Sequence, residues 1–201
     1  MNDKFFDLNR DKQDRMMNAA LKVFARNGFR HASTDEIVRE AAISKGLLFH
    51  YFTSKIGLYA FLFDYSVKYM LFEFARVIPK DESDYFAIRG EIEAAKLNVL
   101  RSYPYMNEFI ERGMQENQID VIEETEAAKN QYMEQMDRYF AQAKDEKWRK
   151  GISREFVDNL IRYCIDGLTR DQMDAGSYQP ELLSSQISEY MNTIKRMAII
   201  S

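Results

Sequence analysis

The side chains that most often do nucleophilic, acid–base or metal chemistry are sparse in this sequence. His31 and His50 are its only histidines and Cys164 its only cysteine. No Cys/His cluster has the spacing of a zinc site, and no Glu-x-x-His pair has that of a di-iron bundle. Neither a G-x-x-x-x-G-K-S/T phosphate loop nor a G-x-S-x-G elbow occurs. Both histidines fall within the first 50 residues, which excludes a histidine general base from the remainder. The acidic residues Glu116, Asp120, Glu123, Glu124 and Glu126 have the spacing of a solvated helix face. An enzyme is not expected, nor a metal or cofactor. A lone Cys164 makes no internal disulfide, reads as a small buried hydrophobe, and fits a cytoplasmic protein.

A different chemistry is written at two helix starts. Ser44 is followed directly by Lys45, and Ser54 by Lys55, so each N-cap residue carries a cation behind it. A helix N-terminus already bears about half a positive charge, and a lysine in the first turn costs about 0.3–1 kcal/mol. Intrinsic helix stability therefore does not account for these lysines. A phosphate held by free N–H groups and the ammonium removes the conflict.

Charge distribution agrees. The net charge of the 201 residues is −4, which taken whole disfavours a nucleic-acid partner. Divided at residue 55 it becomes +3, from ten Lys or Arg against seven Asp or Glu, and −7 on the rest. The basic surplus and both histidines lie on the small first part.

Elements must hold these residues in place. Three prolines and eight glycines are too few turn residues for an all-β chain, and the apolar periodicity is helical. It predicts a helix over 11–27 stopped by Gly28, then a short helix through Ala41. Ser33 and Glu36 have the form of a capping box at the start of that second helix. A third helix covers 45–51, and a long one begins at Ser54 and runs to Val77. Further helices are predicted over 84–102, 105–113, 120–147, 154–173 and 180–199. The N-terminus lacks the apolar stretch of a signal peptide, and Leu58–Phe63, the longest apolar run, is far short of the ~20 residues of a membrane span. No membrane partner is expected.

Two short helices separated by a tight turn, after a longer one, form a helix-turn-helix unit. Phe24-Ala25-Arg26-Asn27-Gly28-Phe29, Ser33-Thr34-Asp35-Glu36-Ile37-Val38, Ala41-Ala42-Ile43-Ser44-Lys45-Gly46-Leu47-Leu48-Phe49-His50-Tyr51-Phe52, and Ser54-Lys55 with Leu58 resemble the N-terminal signature of the TetR/AcrR family of bacterial transcription regulators. The resemblance implies an all-α fold, with residues 1–55 a three-helix DNA-binding domain. A long helix would join it to a helical effector-binding and dimerisation bundle over 56–201. It also implies the DNA contacts: Ser33 and Thr34 on the backbone, Ser44, Lys45 and Gly46 at the start of the reading helix, Leu47, Phe49, His50 and Tyr51 toward the major groove, and Lys55 on a phosphate. Leu48 and Phe52, with Ile37 and Phe24, would anchor that helix to the core. Leu47, Phe49, Ala42 and Ile56 depart from the residues frequent in the family, so no base preference is carried over. Ala42 stands where a turn glycine is common.

The aromatic residues of the 54–77 helix divide between two faces. Phe61, Tyr65, Tyr69 and Phe72 share one side; Tyr59, Phe63, Met70 and Phe74 share the other. With Phe109, Tyr132, Met136, Tyr139 and Tyr163, the first set is the candidate lining for a small hydrophobic or aromatic effector. Ile161, Ile165 and Leu168, and Leu183, Ile187, Met191 and Ile194, form stripes suited to a four-helix interface in a homodimer, an intramolecular core being the alternative. A two-fold dimer would place its reading helices on successive half-sites of a pseudo-palindromic duplex, about 34–36 Å apart or a multiple. Such a protein would release its operator, as a repressor, when the effector enters. The competing reading is a helical adaptor or ligand-binding bundle without operator binding, which would not require Lys45 and Lys55 at helix starts.

Overall fold

The computed structural model describes residues 3–144, 147–174 and 179–200. Among the described residues the chain forms nine α-helices after a single 3-10 turn at Asp3–Phe5. These are α1 (Arg10–His31), α2 (Thr34–Glu40), α3 (Lys45–Phe52), α4 (Lys55–Val77), α5 (Tyr85–Ser102), α6 (Met106–Met114), α7 (Ile119–Ala141), α8 (Arg154–Asp174) and α9 (Pro180–Ala198). The one extended pairing described is an isolated bridge between Trp148 and Ile199. No helix among the described residues is long and apolar enough to cross a membrane.

The helices gather into two compact units, one of residues up to 73 with 98–136, the other of 74–97 with 137 onward. The first unit is built on rings. Phe24, Tyr59, Phe63 and Phe109 are all buried; Tyr59 meets Phe24 edge-on at 4.9 Å and Phe109 at 5.0 Å between centroids. Edge-to-face pairs of this kind add about 0.5–1.5 kcal/mol beyond their buried area. Gly113 of α6 lies directly under the Phe63 ring, where a Cβ would collide, so glycine is what allows α6 to close on α4. Arg112 beside it donates to the carbonyls of Ala25 and Arg26 at 3.0 and 3.3 Å, fastening α6 to the end of α1.

The second unit is closed by α8 packing on α9 and by a polar-aromatic knot. Tyr85 donates to Asp158 at 2.6 Å, and the Arg154 guanidinium lies over the rings of Tyr85 and Phe140. Asp84 caps α5 by accepting from the Ala87 N–H at 2.9 Å, and its other oxygen accepts from Lys195 in the last turn of α9 at 2.6 Å.

Three local expectations are corrected. Gly28 interrupts the first helix, with φ 68 and ψ 174, but helical structure resumes to His31. Glycine tolerates this φ without a Cβ penalty, and the Ala32 N–H closes the extra turn on the Gly28 carbonyl. Ser33 does cap α2, accepting from Asp35 N, yet Glu36 accepts from the Asn27 side chain rather than completing a capping box. The helix expected to reach 147 stops at Ala141, because the following chain finds other partners. Lys144 N–H bonds to the Ser83 carbonyl, Arg149 N–H to the Ala198 carbonyl and Ile200 N–H to the Lys147 carbonyl.

Candidate nucleic-acid interface

The unit formed by α2 and α3 is small, and few side chains seat it. Ile37 is the buried residue of α2; Leu48 and Phe52 are those of α3. The i, i+4 spacing of Leu48 and Phe52 puts both on one side of an eight-residue helix. The turn between the helices passes through Ala42 at φ 52, a left-handed conformation that L-residues enter at a cost of about 1–2 kcal/mol. Ser44 then caps α3, its Oγ accepting from Leu47 N at 3.2 Å. Thr53, at φ 58, ends the helix. Ser54 starts the next one, its Oγ accepting from Gly57 N at 3.0 Å.

With the anchors turned inward, the opposite side of α3 presents Ser44, Lys45, Gly46 and His50 as exposed residues, with Leu47, Phe49 and Tyr51 half-buried between them. Nothing lies within 4 Å of the position a Cβ on Gly46 would take, so the approach to that backbone is open. Ser33 is exposed and Thr34 half-buried at the start of α2. The ring of His50 meets that of Tyr51 edge-on at 5.0 Å. The ten residues named from the resemblance thus sit on α2 and α3, at their N-caps Ser33 and Ser44, and on the first residue of α4, within one compact unit.

The two lysines behave differently from what their helix-start positions imply. Lys45 forms an ion pair with Asp35 at 2.8 Å, both side chains remaining largely in solvent. Lys55 turns away from its own helix terminus: its ammonium lies 4.7 Å from the centre of the Phe29 ring and donates to the Arg30 carbonyl at 3.4 Å. Partial burial there holds its pKa below the usual lysine value. Within the chain, then, each cation has a compensating partner, and the electrostatic conflict at the helix starts is relieved without an external phosphate.

The residues named for an effector fall in several places. Phe61, Tyr65, Tyr69 and Phe72 line one groove of about 250 Å³ on α4, together with Asp64 and Lys68. Phe61 and Tyr65 stack at 6.4 Å, Tyr65 and Tyr69 at 6.0 Å. The Tyr65 and Tyr103 hydroxyls are 3.2 Å apart, and Tyr103 donates on to Asp14 at 3.4 Å; burial raises the Tyr103 pKa, keeping it a neutral donor. Phe109 belongs to the closed ring core with Tyr59 and Phe63. Tyr132 and Met136 are half-buried on α7. In the second unit Tyr139 meets the Phe74 ring at 6.4 Å, while Tyr163 is 64% exposed.

The stripes named for a dimer are covered within the single chain. Ile161, Ile165, Leu183, Ile187, Met191 and Ile194 are buried, and Leu168 is half-buried. The apolar side chains that α8 and α9 leave open are Phe156, Tyr163, Leu182, Tyr190 and Met197.

Phe5, Tyr103 and Arg112 shape this unit, and the sequence carries no signal for the last two. Phe5 precedes the first periodic helix, Tyr103 sits beside a proline, and Arg112 looks like any charge on a helix end. A weak pointer exists for Phe5 alone, since two adjacent phenylalanines in a charged N-terminal stretch are hard to leave in water.

Comparison with known proteins places these features. Residues 16–60 match the family model described as bacterial regulatory proteins, tetR family. An HTH-type transcriptional regulator of Bacillus subtilis, YuxN, is 28% identical over 117 residues, 58% of this chain and 39% of that protein. The HTH-type transcriptional regulator UidR of Escherichia coli is 48% identical over 44 residues, 22% of each chain. The matched segments thus span well under half of either relative. Among solved structures, a TetR family transcriptional regulator from Chloroflexus aurantiacus superimposes with a TM-score of 0.67 at 15% identity, covering 99% of this chain and 98% of that one. FadR from Bacillus subtilis, solved in complex with stearoyl-CoA, gives 0.55 at 15% identity over 88% of this chain and 96% of its own. The 16–60 segment matches the tetR-family model, and the chain as a whole shares the helical fold of solved TetR family regulators.

Proposed function

We propose that this chain is a DNA-binding transcriptional regulator that reads a pseudo-palindromic operator as a homodimer and releases it, as a repressor, on binding a small apolar or aromatic effector. The observation that carries the DNA-binding half is the open side of α3. A short helix is pinned from behind by Leu48 and Phe52 and presents Ser44, Lys45, Gly46 and His50 outward, inside the segment that matches the family model. Residues 1–55 are the reading domain on this view, and 56–201 the effector and dimerisation part. Ser33, Thr34, Ser44, Lys45 and Lys55 supply the phosphate contacts; Gly46, Leu47, Phe49, His50 and Tyr51 approach the groove. The half-buried Leu47 and Phe49 suit apolar features of the duplex such as a thymine methyl.

For the effector, the stacked rings of the α4 groove favour an apolar or aromatic ligand over a charged one, its two ionic rim residues Asp64 and Lys68 being paired with each other at 2.8 Å. FadR, which shares the fold, was solved with stearoyl-CoA, a ligand with a long apolar chain. For the dimer, the outer sides of α8 and α9 with Tyr163, Leu182, Tyr190 and Met197 are the surface that a second copy would cover.

The deciding experiment is the double substitution Lys45→Ala/Lys55→Ala, with binding to a duplex selected by the wild-type protein measured against salt. Affinity falls across sequences, and the slope of log K against log salt flattens by about one unit per lost phosphate contact. Unchanged affinity and slope in a folded double variant would remove both lysines from the interface.

A further inference from the structure

The N-terminal segment before α1 lies outside the matched residues 16–60, yet it reaches the far end of the reading helix. Phe5 is 1% exposed. Its ring packs against Phe52 at 5.2 Å, Tyr51 at 5.9 Å and Phe61 at 5.4 Å. Phe52 is one of the two buried anchors of α3, and Tyr51 beside it is half-buried and among the residues proposed above to approach the groove. The segment is itself fixed: Leu8 N–H bonds to the Phe5 carbonyl at 3.2 Å, and the Gln13 side chain donates to the carbonyls of Phe6 and Leu8 at 3.0 and 2.7 Å.

Helix α3 meets its surroundings at its last turn through rings. Its first turn is held by the Ser44 cap and by the Lys45–Asp35 pair; its middle is held by Leu48. Beyond Phe52 the chain turns through Thr53 at positive φ into α4. The rotation of α3 about its axis is therefore set at its C-terminal end by the aromatic wall of Phe5 and Phe61, the latter meeting Phe52 at 5.0 Å. A helix of eight residues anchored at Leu48 alone would retain the freedom to roll, which would turn His50 and Tyr51 away from a fixed register.

We infer that Phe5 is a positioning residue for DNA reading: it touches no DNA, but it fixes the orientation of α3 through Phe52 and Tyr51, and so sets sequence discrimination rather than backbone affinity. This rests on the proposed DNA-binding function.

The test uses the full chain, a duplex selected by the wild-type protein from a randomised pool, and an unrelated duplex of equal length. Phe5→Ala is expected to weaken the selected duplex about tenfold while leaving the unrelated duplex unchanged, so that the ratio of the two affinities falls. Phe5→Leu, which keeps most of the volume, is expected to recover most of that ratio. Titration at stoichiometric concentration gives the active fraction. A purely structural role would lower that fraction and leave the ratio of the active molecules unaltered. If Phe5→Ala does not fold, the ratio for the milder truncation Phe5→Val takes its place. An unchanged ratio in folded variants overturns the positioning role while leaving the DNA-binding reading intact. Failure of the wild-type protein to select any duplex overturns both.

Discussion

Lys45 and Lys55 share a sequence context, yet they hold different places in the energetics of the chain. The Lys45 ammonium is in solvent with Asp35, and an exposed pair of that kind contributes little to stability, about 0–1 kcal/mol. Lys55 is drawn onto the Phe29 ring and the Arg30 carbonyl, where its stem and charge both pack. Single alanine substitutions should therefore separate: Lys45→Ala weakens duplex binding with no measurable change in melting temperature, whereas Lys55→Ala lowers both. Thermal denaturation beside a binding titration checks this. Ala42 offers a test of opposite sign. Its φ of 52 is a conformation in which glycine has no Cβ penalty, so Ala42→Gly should raise stability by about 1 kcal/mol, visible as a higher denaturant midpoint with unchanged slope. The possibility of a strained turn was legible in the sequence because position 42 departs from a glycine frequent in similar chains. The partners of Lys45 and Lys55 were not, since Asp35 and Phe29 reach them only through the angles at which α1, α2 and α3 meet.

At the scale of elements, the helices were legible nearly to the residue wherever caps and apolar periods agreed, as at Ser44 and Ser54. The error at the end of α7 has a physical source. Residues beyond Ala141 keep a helix-compatible composition, but their backbone groups bond to Ser83 and to the C-terminal residues Ala198 and Ile200, partners remote in sequence that no local pattern records. The start of α5 shows how such remote contacts become pH-dependent. Burial alone would push the Asp84 carboxyl up, but the Lys195 hydrogen bond, the Ala87 N–H and the lysine charge outweigh it, and its pKa is lowered. An acid whose folded pKa lies below the unfolded value of about 4 contributes stability that is fully present above that value and is lost as pH falls through the lowered one. Asp84→Asn keeps the cap acceptor but loses the ion pair, so its deficit in melting temperature against wild type should be largest near neutrality and shrink toward zero in acid. Asp84→Ala, which also removes the cap, should be further destabilised by about 1 kcal/mol, and that added loss should persist at low pH in part because a protonated Asp84 still offers a carbonyl oxygen to Ala87.

For the whole molecule, the apolar stripes of α8 and α9 show where periodicity stops informing. A stripe at i, i+4, i+7 states that something covers it, not which chain does. Ile161, Leu183, Ile187, Met191 and Ile194 are buried without a second copy, so a dimer must use what remains outside. Phe156 and Tyr163 stand seven residues apart on α8, on the same side as the open position of Gly167. Leu182, Tyr190 and Met197 are exposed along α9. A run of large apolar side chains in water on two adjacent helices exceeds the scattered single residues usual on a monomer. Aromatic and methionine side chains are also the types enriched in interface centres. Tyr163 carries the Arg162 guanidinium over its ring at 4.4 Å, a pair able to stay planar against a facing surface. Introducing a charge at the centre of this surface, as Tyr163→Glu or Met197→Glu, should leave the chain folded, because both side chains are already exposed. It should shift the sedimentation coefficient from dimer to monomer at micromolar concentration, and weaken binding to the full two-half-site duplex by far more than binding to a single half-site. The same charge introduced at the buried Ile187 would unfold the second unit instead, lowering the melting temperature at every protein concentration. A wild-type chain that sediments as a monomer would show that these exposed residues serve another partner, and the two-half-site geometry would fall with the dimer.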